Sequence, residues 1–375
     1  MDWVRGETIG YGSFSTVSLA KVTRNCDRFP PLMAVKSSDS VDSALLKNEK
    51  EILEQLGNCP QVISCFGDDC TTGKGDNLYN LFLEYAKGGS LSDRLKKSGS
   101  GLPESDVRRY TRAILKGLRH IHAKGFAHCD VKLDNILMFD DGKIKIADFG
   151  LAKKTEQEQS HRHQENEDSS DSGVTIRGTP LYMAPESVND NEYDSPADIW
   201  ALGCAVAEMV TSKPAWKCED RTNIMALLIR IGVGDELPSI PDELSEEGKD
   251  FLGKCFVKDP KKRCSAQILL SHPFVAVDFD DDDQDDSSVP LVCSEELSTS
   301  PRSPFDFPDW ISVNSSISGS LPAQSPLSNL GNSRFGLSFS SGFESMKNRV
   351  KQLVTDQRSD WSVSGSWVTV RCENS

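Results

Sequence analysis

"GFAHCDVKLDNILMFDDGKIKIADFG" spans Gly125–Gly150. Two apolar runs flank Asp141-Gly142, a pair that suits the tight turn of a β-hairpin. A hairpin there folds the chain back and returns Asp148 to the neighbourhood of Asn135. Asp130 and Asn135 fall in a short loop after an expected helix that ends near Lys124. A carboxylate and an amide oxygen brought together in this way are hard ligands of the kind Mg2+ takes, with phosphate oxygens completing its shell. Asp148 and Asn135 are therefore the candidate metal ligands. Asp130 is left to orient an attacking hydroxyl and accept its proton, and Lys132 to balance charge on a moving phosphoryl group.

Upstream, "IGYGSFSTV" (Ile9–Val17) places two glycines one residue apart between strand-like flanks. Such a hairpin lets the backbone come close to phosphates, although Gly-rich hairpins also occur where nothing binds. "MAVK" then reads as a strand ending in Lys36. In the helix that follows, Leu45, Ile52, Leu53 and Leu56 form an apolar stripe at helical spacing, and Glu49 falls on it. A carboxylate on an inward face needs a partner, and Lys36 is the natural one. The alternative is that Glu49 lies at the stripe's edge and reaches solvent.

The rest of the 375-residue chain divides by composition. Strand-like segments dominate up to about Ala86, including "QVISCFGD" (61–68) and "LYNLFLEYA" (78–86). Helical patterns follow to about residue 274. Near Asp278 an acidic run, "DFDDDDQDDSS", begins, and serine, proline and glycine then dominate to about Ser341. That composition predicts a largely disordered tail over 278–375, with "FESMKNRVKQLVTDQ" (343–357) and two tryptophans as a docking candidate. Apolar residues make up 37% and charged residues 26%, as in soluble globular chains. The net charge of −15 argues against duplex nucleic acid or an anionic membrane surface as a general partner. Eleven cysteines without C-x-x-C spacing, and no signal peptide or membrane-spanning run, predict reduced thiols inside the cell. The C-terminal "CENS" lacks the aliphatic residues of a prenylation signal.

Taken in order, the Gly-rich loop, strand lysine, helix glutamate, catalytic loop, D-F-G (148–150) and A-P-E (184–186) resemble a eukaryotic protein kinase over roughly residues 3–274. The resemblance implies an α+β, two-lobed fold: a β-rich small lobe (3–86) and a helical large lobe (87–274). It implies ATP with Mg2+, catalytic roles for Asp130, Lys132, Lys36 and Glu49, and metal ligation by Asn135 and Asp148. For the nucleotide it implies Ile9, Gly10, Gly12 and Val17 over the phosphates and adenine. Ala34 and Leu137 would sandwich the ring, Leu83 would be the gatekeeper, and the backbones of Glu84 and Ala86 would bind its edge. Asp198 would brace the catalytic loop, and Glu186 and Arg263 would form a structural pair. Lys132 and Thr179 resemble the serine/threonine class. Ser172, Thr175 and Thr179 are candidate phosphosites.

"WVRGETIGYGSFSTV", "NLFLEYAKGGSL", "HCDVKLDN" and "GTPLYMAPESV" are similar to plant MAP kinase kinase kinases of the MEKK-like class, in which a short clade carries an H-C-D catalytic loop. This resemblance implies phosphorylation of MAP kinase kinases in stress or abscisic acid signalling. Control is expected through the activation segment, the tail or protein abundance, which makes regulators of the tail candidate partners. Cys129 stands where the family has an arginine that grips an activation-segment phosphate. The change removes a charge clamp and no catalytic atom, so an active enzyme is expected. A redox-sensitive thiol is a second reading of Cys129, with Asp130 raising its pKa. Two rival functions are a kinase outside the cascade and a pseudokinase scaffold. The expected location is the cytoplasm. The nucleus stays open, because "KDPKKR" (258–263) would pass for a nuclear signal, although it falls within the large lobe.

Overall fold

Alternation in the first eighty residues builds a five-stranded antiparallel sheet of order β1-β2-β3-β5-β4. Its strands are β1 (Trp3–Tyr11), β2 (Thr16–Val22), β3 (Leu32–Asp39), β4 (Cys65–Thr72) and β5 (Asn77–Leu83). The structure is a computed structural model, and it describes residues 2–12, 15–23, 29–39, 43–72, 77–155, 177–217 and 224–276. Ser172, Thr175 and the whole of 278–375 lie outside the described residues.

Strand β3 is central and has a use for both faces. Successive side chains alternate. Met33 and Val35 therefore join Ala20 and Phe82 in a small cluster on one face. Ala34 belongs to the main core on the other, and the same alternation sends Lys36 to that face. Trp3 closes the small cluster edge-on to Phe82, with ring centroids 5.0 Å apart.

Helix α1 (Ala44–Leu56) packs beneath the sheet and buries Leu46, Glu49, Ile52, Leu53 and Leu56. The expected stripe slips by one residue at its start. Leu45 is only half-buried, because it turns towards the D-F-G segment, where its Cβ would lie 3.6 Å from a Cβ added to Gly150. Residues 61–64, expected as strand, are the second correction. Here the Ile63 amide donates to the Ile146 carbonyl (2.9 Å) and the Ile146 amide to the Gln61 carbonyl (2.8 Å). Gln61 and Ile63 thus bind the large lobe instead of the sheet, while the Ser64 carbonyl accepts from the Glu84 amide at 2.9 Å, and β4 begins only at Cys65.

The large lobe consists of α2 (Leu91–Ser98), α3 (Glu104–Ala123), α4 (Pro185–Asn189), α5 (Ser195–Thr211), α6 (Ile224–Gly232), α7 (Glu246–Cys255), α8 (Ala266–Leu269) and α9 (Pro273–Ala276). Two-stranded pairings β6 (Phe126–Ala127) with β9 (Lys153–Lys154), and β7 (Ile136–Met138) with β8 (Ile144–Ile146), carry the loops between them. Ser90 and Asp93 form a reciprocal capping box that starts α2. Asp194 caps α5, whose first turn also holds Pro196. Helix α5 is apolar nearly all round. Trp200, Leu202, Cys204, Val206 and Met209 are at most 1% exposed, as befits the helix at the centre of the lobe. Among the described residues no helix is long and apolar enough to cross a membrane.

Candidate active site

The hairpin read from sequence forms. Ile136 pairs with Ile146 and Met138 with Ile144, and Gly142 takes φ 74° at the turn. It delivers Asp148 to Lys36, whose Nζ lies 2.8 Å from Asp148 Oδ1 and 2.8 Å from Glu49 Oε2. Glu49 is fully buried, and its other oxygen accepts from the Phe149 amide at 3.1 Å. The inward reading of Glu49 therefore holds over the solvent-edge alternative.

Three charges meet here, and their balance favours an ionised set. Burial alone would lower the Lys36 pKa, but Asp148 and Glu49 outweigh it and keep the ammonium charged. Burial works against the Asp148 carboxylate too, yet Lys36 holds it well below the usual carboxylate range. Glu49 is pushed upward by burial, with Lys36 and the Phe149 amide pulling it back. The Asp148 side chain is 45% exposed to the cleft, so one of its faces stays open to a ligand. Its backbone sits at φ 66°, a conformation unfavourable for a non-glycine residue.

A second cluster lies on the catalytic loop. Asp130 Oδ2 receives Lys132 Nζ at 2.7 Å and Asn135 Nδ2 at 3.0 Å, and Oδ1 receives the Thr179 hydroxyl at 2.7 Å. Asn135 Nδ2 also donates to the Asp130 carbonyl, at 2.8 Å. With its NH2 committed to Asp130, the amide's carbonyl oxygen is the atom suited to a cation. Among the described residues, no group of three His, Cys, Asp or Glu could hold a metal by itself. One carboxylate and one amide fit a divalent ion that takes its remaining ligands from phosphate and water.

The loop itself is pinned from below. Asp198, 1% exposed, accepts from the amides of His128 (2.8 Å) and Cys129 (2.9 Å) and lies 2.9 Å from His122 Nε2. Burial opposes this carboxylate, but its hydrogen bonds with His122 and the His128 amide hold its pKa down. These contacts fix Cys129 at φ 66°. Burial is the main cause that raises the Cys129 thiol pKa, followed by Asp198. Asp130, the cause expected from sequence, is a minor one. Gly178 (φ 88°) lies against the Cys129 carbonyl so closely that an added Cβ would come within 2.5 Å of it. That approach requires glycine and holds Thr179 over Asp130. Thr179 is 8% exposed with its hydroxyl engaged, and a phosphate on it would face the Asp130 carboxylate. The structure thus places the Thr179 hydroxyl inside the site, on Asp130.

Ile9, Ala34 and Leu83 share one apolar cluster, with Val17 and Leu137 packed against it. Gly10 pairs with Val17 in the hairpin above, and the Gly12 amide closes its turn on the Ser15 carbonyl at 2.7 Å. Glu84 and Ala86 follow the end of β5 in the link between lobes. Sequence reasoning missed what the Glu84 side chain does. Its Oε2 meets Lys145 Nζ at 2.6 Å and the Ser64 amide at 3.3 Å, joining the link to β8. Deep in the large lobe, Arg263 forks onto Glu186 at 2.6 and 2.9 Å, so "KDPKKR" supplies a buried ion-pair partner.

The protein kinase domain family matches residues 3–275. Mitogen-activated protein kinase kinase kinase 20 of Arabidopsis thaliana is 52% identical over 372 residues, covering 99% of this chain and all of that protein. Mitogen-activated protein kinase kinase kinase 18 of the same plant is 39% identical, covering 85% of this chain and 87% of the relative. A longer relative, mitogen-activated protein kinase kinase kinase YODA, is 37% identical over 73% of this chain and 29% of its own length. The likeness to the first of these thus runs on through the acidic, serine-rich segment. The chain belongs to the protein kinase family, as a serine/threonine kinase of the plant mitogen-activated protein kinase kinase kinase group.

Proposed function

We propose that this kinase transfers the γ-phosphate of Mg-ATP to activation-loop serine and threonine residues of MAP kinase kinases, in stress or abscisic acid signalling. Lys36, braced by Glu49, binds nucleotide phosphates. Asp148 and the Asn135 carbonyl would hold Mg2+, which would neutralise charge on the phosphates. Asp130 orients the substrate hydroxyl and accepts its proton, while Lys132 offsets charge on the phosphoryl group in flight. Leu83 and the Glu84 and Ala86 backbones seat adenine between Ala34 and Leu137.

One observation carries the proposal. The Asp130 carboxylate is held by Lys132, Asn135 and Thr179 within 3.0 Å. The loop that presents it, Cys129 included, is braced by Asp198. Thus the arginine-to-cysteine departure leaves the acid–base group in place. The MAP kinase kinase substrate is supported by the names of the full-length relatives, and the signalling context by the H-C-D loop resemblance.

The test is phosphate transfer from Mg-ATP to a catalytically dead MAP kinase kinase, set beside generic substrates. Asp130→Asn should lower turnover by about 10²- to 10⁴-fold with folding unchanged. Equal transfer to generic proteins would place the kinase outside the cascade. No transfer from folded, ATP-binding wild type would favour a scaffold.

A further inference from the structure

We infer that Asn48, on α1, is a positioning residue for phosphate transfer: its side-chain amide holds the chain just beyond Asp148 and so sets the carboxylate that faces the metal. The inference rests on the reading of Asp148 as a metal ligand. Asn48 is half-buried, one residue before Glu49 on the helix. Its Nδ2 donates to the Gly150 carbonyl at 2.9 Å and to the Ala152 carbonyl at 3.1 Å. An amide NH2 carries two hydrogens, so both are spent on one short stretch of backbone.

Asn48 acts with its neighbours. Residues three and four apart lie side by side on a helix, so Leu45, Asn48 and Glu49 share one face of α1. Each meets the D-F-G segment. Leu45 lies against Gly150, and Glu49 Oε1 accepts from the Phe149 amide at 3.1 Å. The Ala152 amide donates in turn to the Phe149 carbonyl at 3.1 Å and closes the turn. One helix face thus holds the backbone of residues 149–152.

Asp148 needs such a hold. Its φ of 66° is sparsely populated for a residue with a Cβ, and a conformation of that kind persists only where its surroundings determine it. Upstream, the catalytic loop does so. The Ala147 amide donates to the Asn135 carbonyl at 2.9 Å, and the Ala147 carbonyl lies 3.0 Å from His128 Nε2. Downstream, the hold comes from α1. Lys36 restrains one carboxylate oxygen of Asp148, and the backbone aims the other. Loss of the Asn48 donors releases the Gly150 and Ala152 carbonyls and lets Asp148 relax with them, while Lys36 and Glu49 keep their own contact.

Asn48→Leu and Asn48→Ala, neither of which keeps a donor, test this beside wild type and Asp148→Asn. One readout is backbone hydrogen exchange over residues 149–155 in the nucleotide-free full chain. The other is the Mg2+ concentration that gives half-maximal transfer from saturating ATP. Both Asn48 variants should exchange at least about fivefold faster over 149–155, the factor that one net hydrogen bond is worth. Their Mg2+ requirement should rise by a similar factor, with the KM of the protein substrate unchanged. Glu51→Gln, an exposed change on the same helix, should alter neither. Faster exchange with a wild-type Mg2+ requirement would make Asn48 merely structural and overturn the inference. Unchanged exchange would overturn it too. In either case a raised requirement in Asp148→Asn would leave the metal-ligand reading standing, whereas a wild-type requirement in Asp148→Asn would overturn both.

Discussion

Lys36–Glu49 and Arg263–Glu186 are both buried ion pairs, and they differ in how many donors are spent. Arg263 has five N–H groups. They go to Glu186 twice and to the carbonyls of Val257, Pro196 and Lys258. Nothing remains for a ligand, so the pair is a fastener between the A-P-E segment and the far end of the lobe. Lys36 has three hydrogens, and the contacts to Glu49 and Asp148 use two. The third is what a phosphate oxygen requires. The same chemistry therefore serves structure where it is saturated and binding where it is one bond short.

The largest expected effect falls on the saturated pair. Arg263→Met leaves Glu186 buried and uncompensated, and should cost about 3–5 kcal/mol in denaturant unfolding. Activity per folded molecule should change little. A variant as stable as wild type would mean that the fastener is redundant. Glu49→Gln should do the reverse. Losing one charge-assisted bond of about 1.5–3 kcal/mol lowers kcat/KM for ATP roughly ten- to hundredfold, with a smaller change in unfolding.

Acid separates a third group from both pairs. Asp198 has a depressed pKa in the fold. Its contribution to stability is complete above the ordinary aspartate value of about 4 and is lost as pH falls through the folded value. In unfolding measured from pH 6 down to pH 2, Asp198→Asn should start less stable. Its acid limb should be shallower by up to about 1.4 kcal/mol per pH unit, the effect of one proton. An unchanged slope would assign acid sensitivity elsewhere. The smallest effect is expected at Cys129, since Asp198 braces the loop through its amide, and its thiol makes only a contact of 3.5 Å to the Ala127 carbonyl that a serine hydroxyl can replace. Cys129→Ser should alter turnover by less than about threefold. Because thiolate is the reactive form, native Cys129 should alkylate at least about tenfold more slowly than in unfolded protein. Fast alkylation would revive the redox reading.

Local patterns made half of this arrangement legible. Glu49 stood out because a carboxylate interrupted an apolar helical stripe, and Asp148 because the hairpin could deliver it only to one place. Asp198 and the Glu186–Arg263 pair were reached through family resemblance. Glu84 and Lys145 gave no signal. Each is a single charge between apolar neighbours, Leu83 and Tyr85 or Ile144 and Ile146, which reads as the outward position of a strand, and their contact depends on how the lobes pack. Residues 61–64 misled for the same reason. Their β-prone composition is real, but the partner that satisfies the backbones of Gln61 and Ile63 lies more than eighty residues away, on β8. Leu45 slipped because the first turn of α1 is shaped by the D-F-G segment it meets, which a helical period does not encode.

That β8 contact bears on how the cleft can open. Two of the ties between the lobes end on neighbouring residues: Gln61 and Ile63 on the backbone of Ile146, and Glu84 on the side chain of Lys145. Two nearby attachment points act as a hinge pin, about which the small lobe can swing while its other contacts give way. Asp148 lies two residues beyond the pin. A group close to a rotation axis travels least, so breathing of the cleft would sweep the Gly-rich hairpin through a wide arc and leave the Asp148 carboxylate almost stationary.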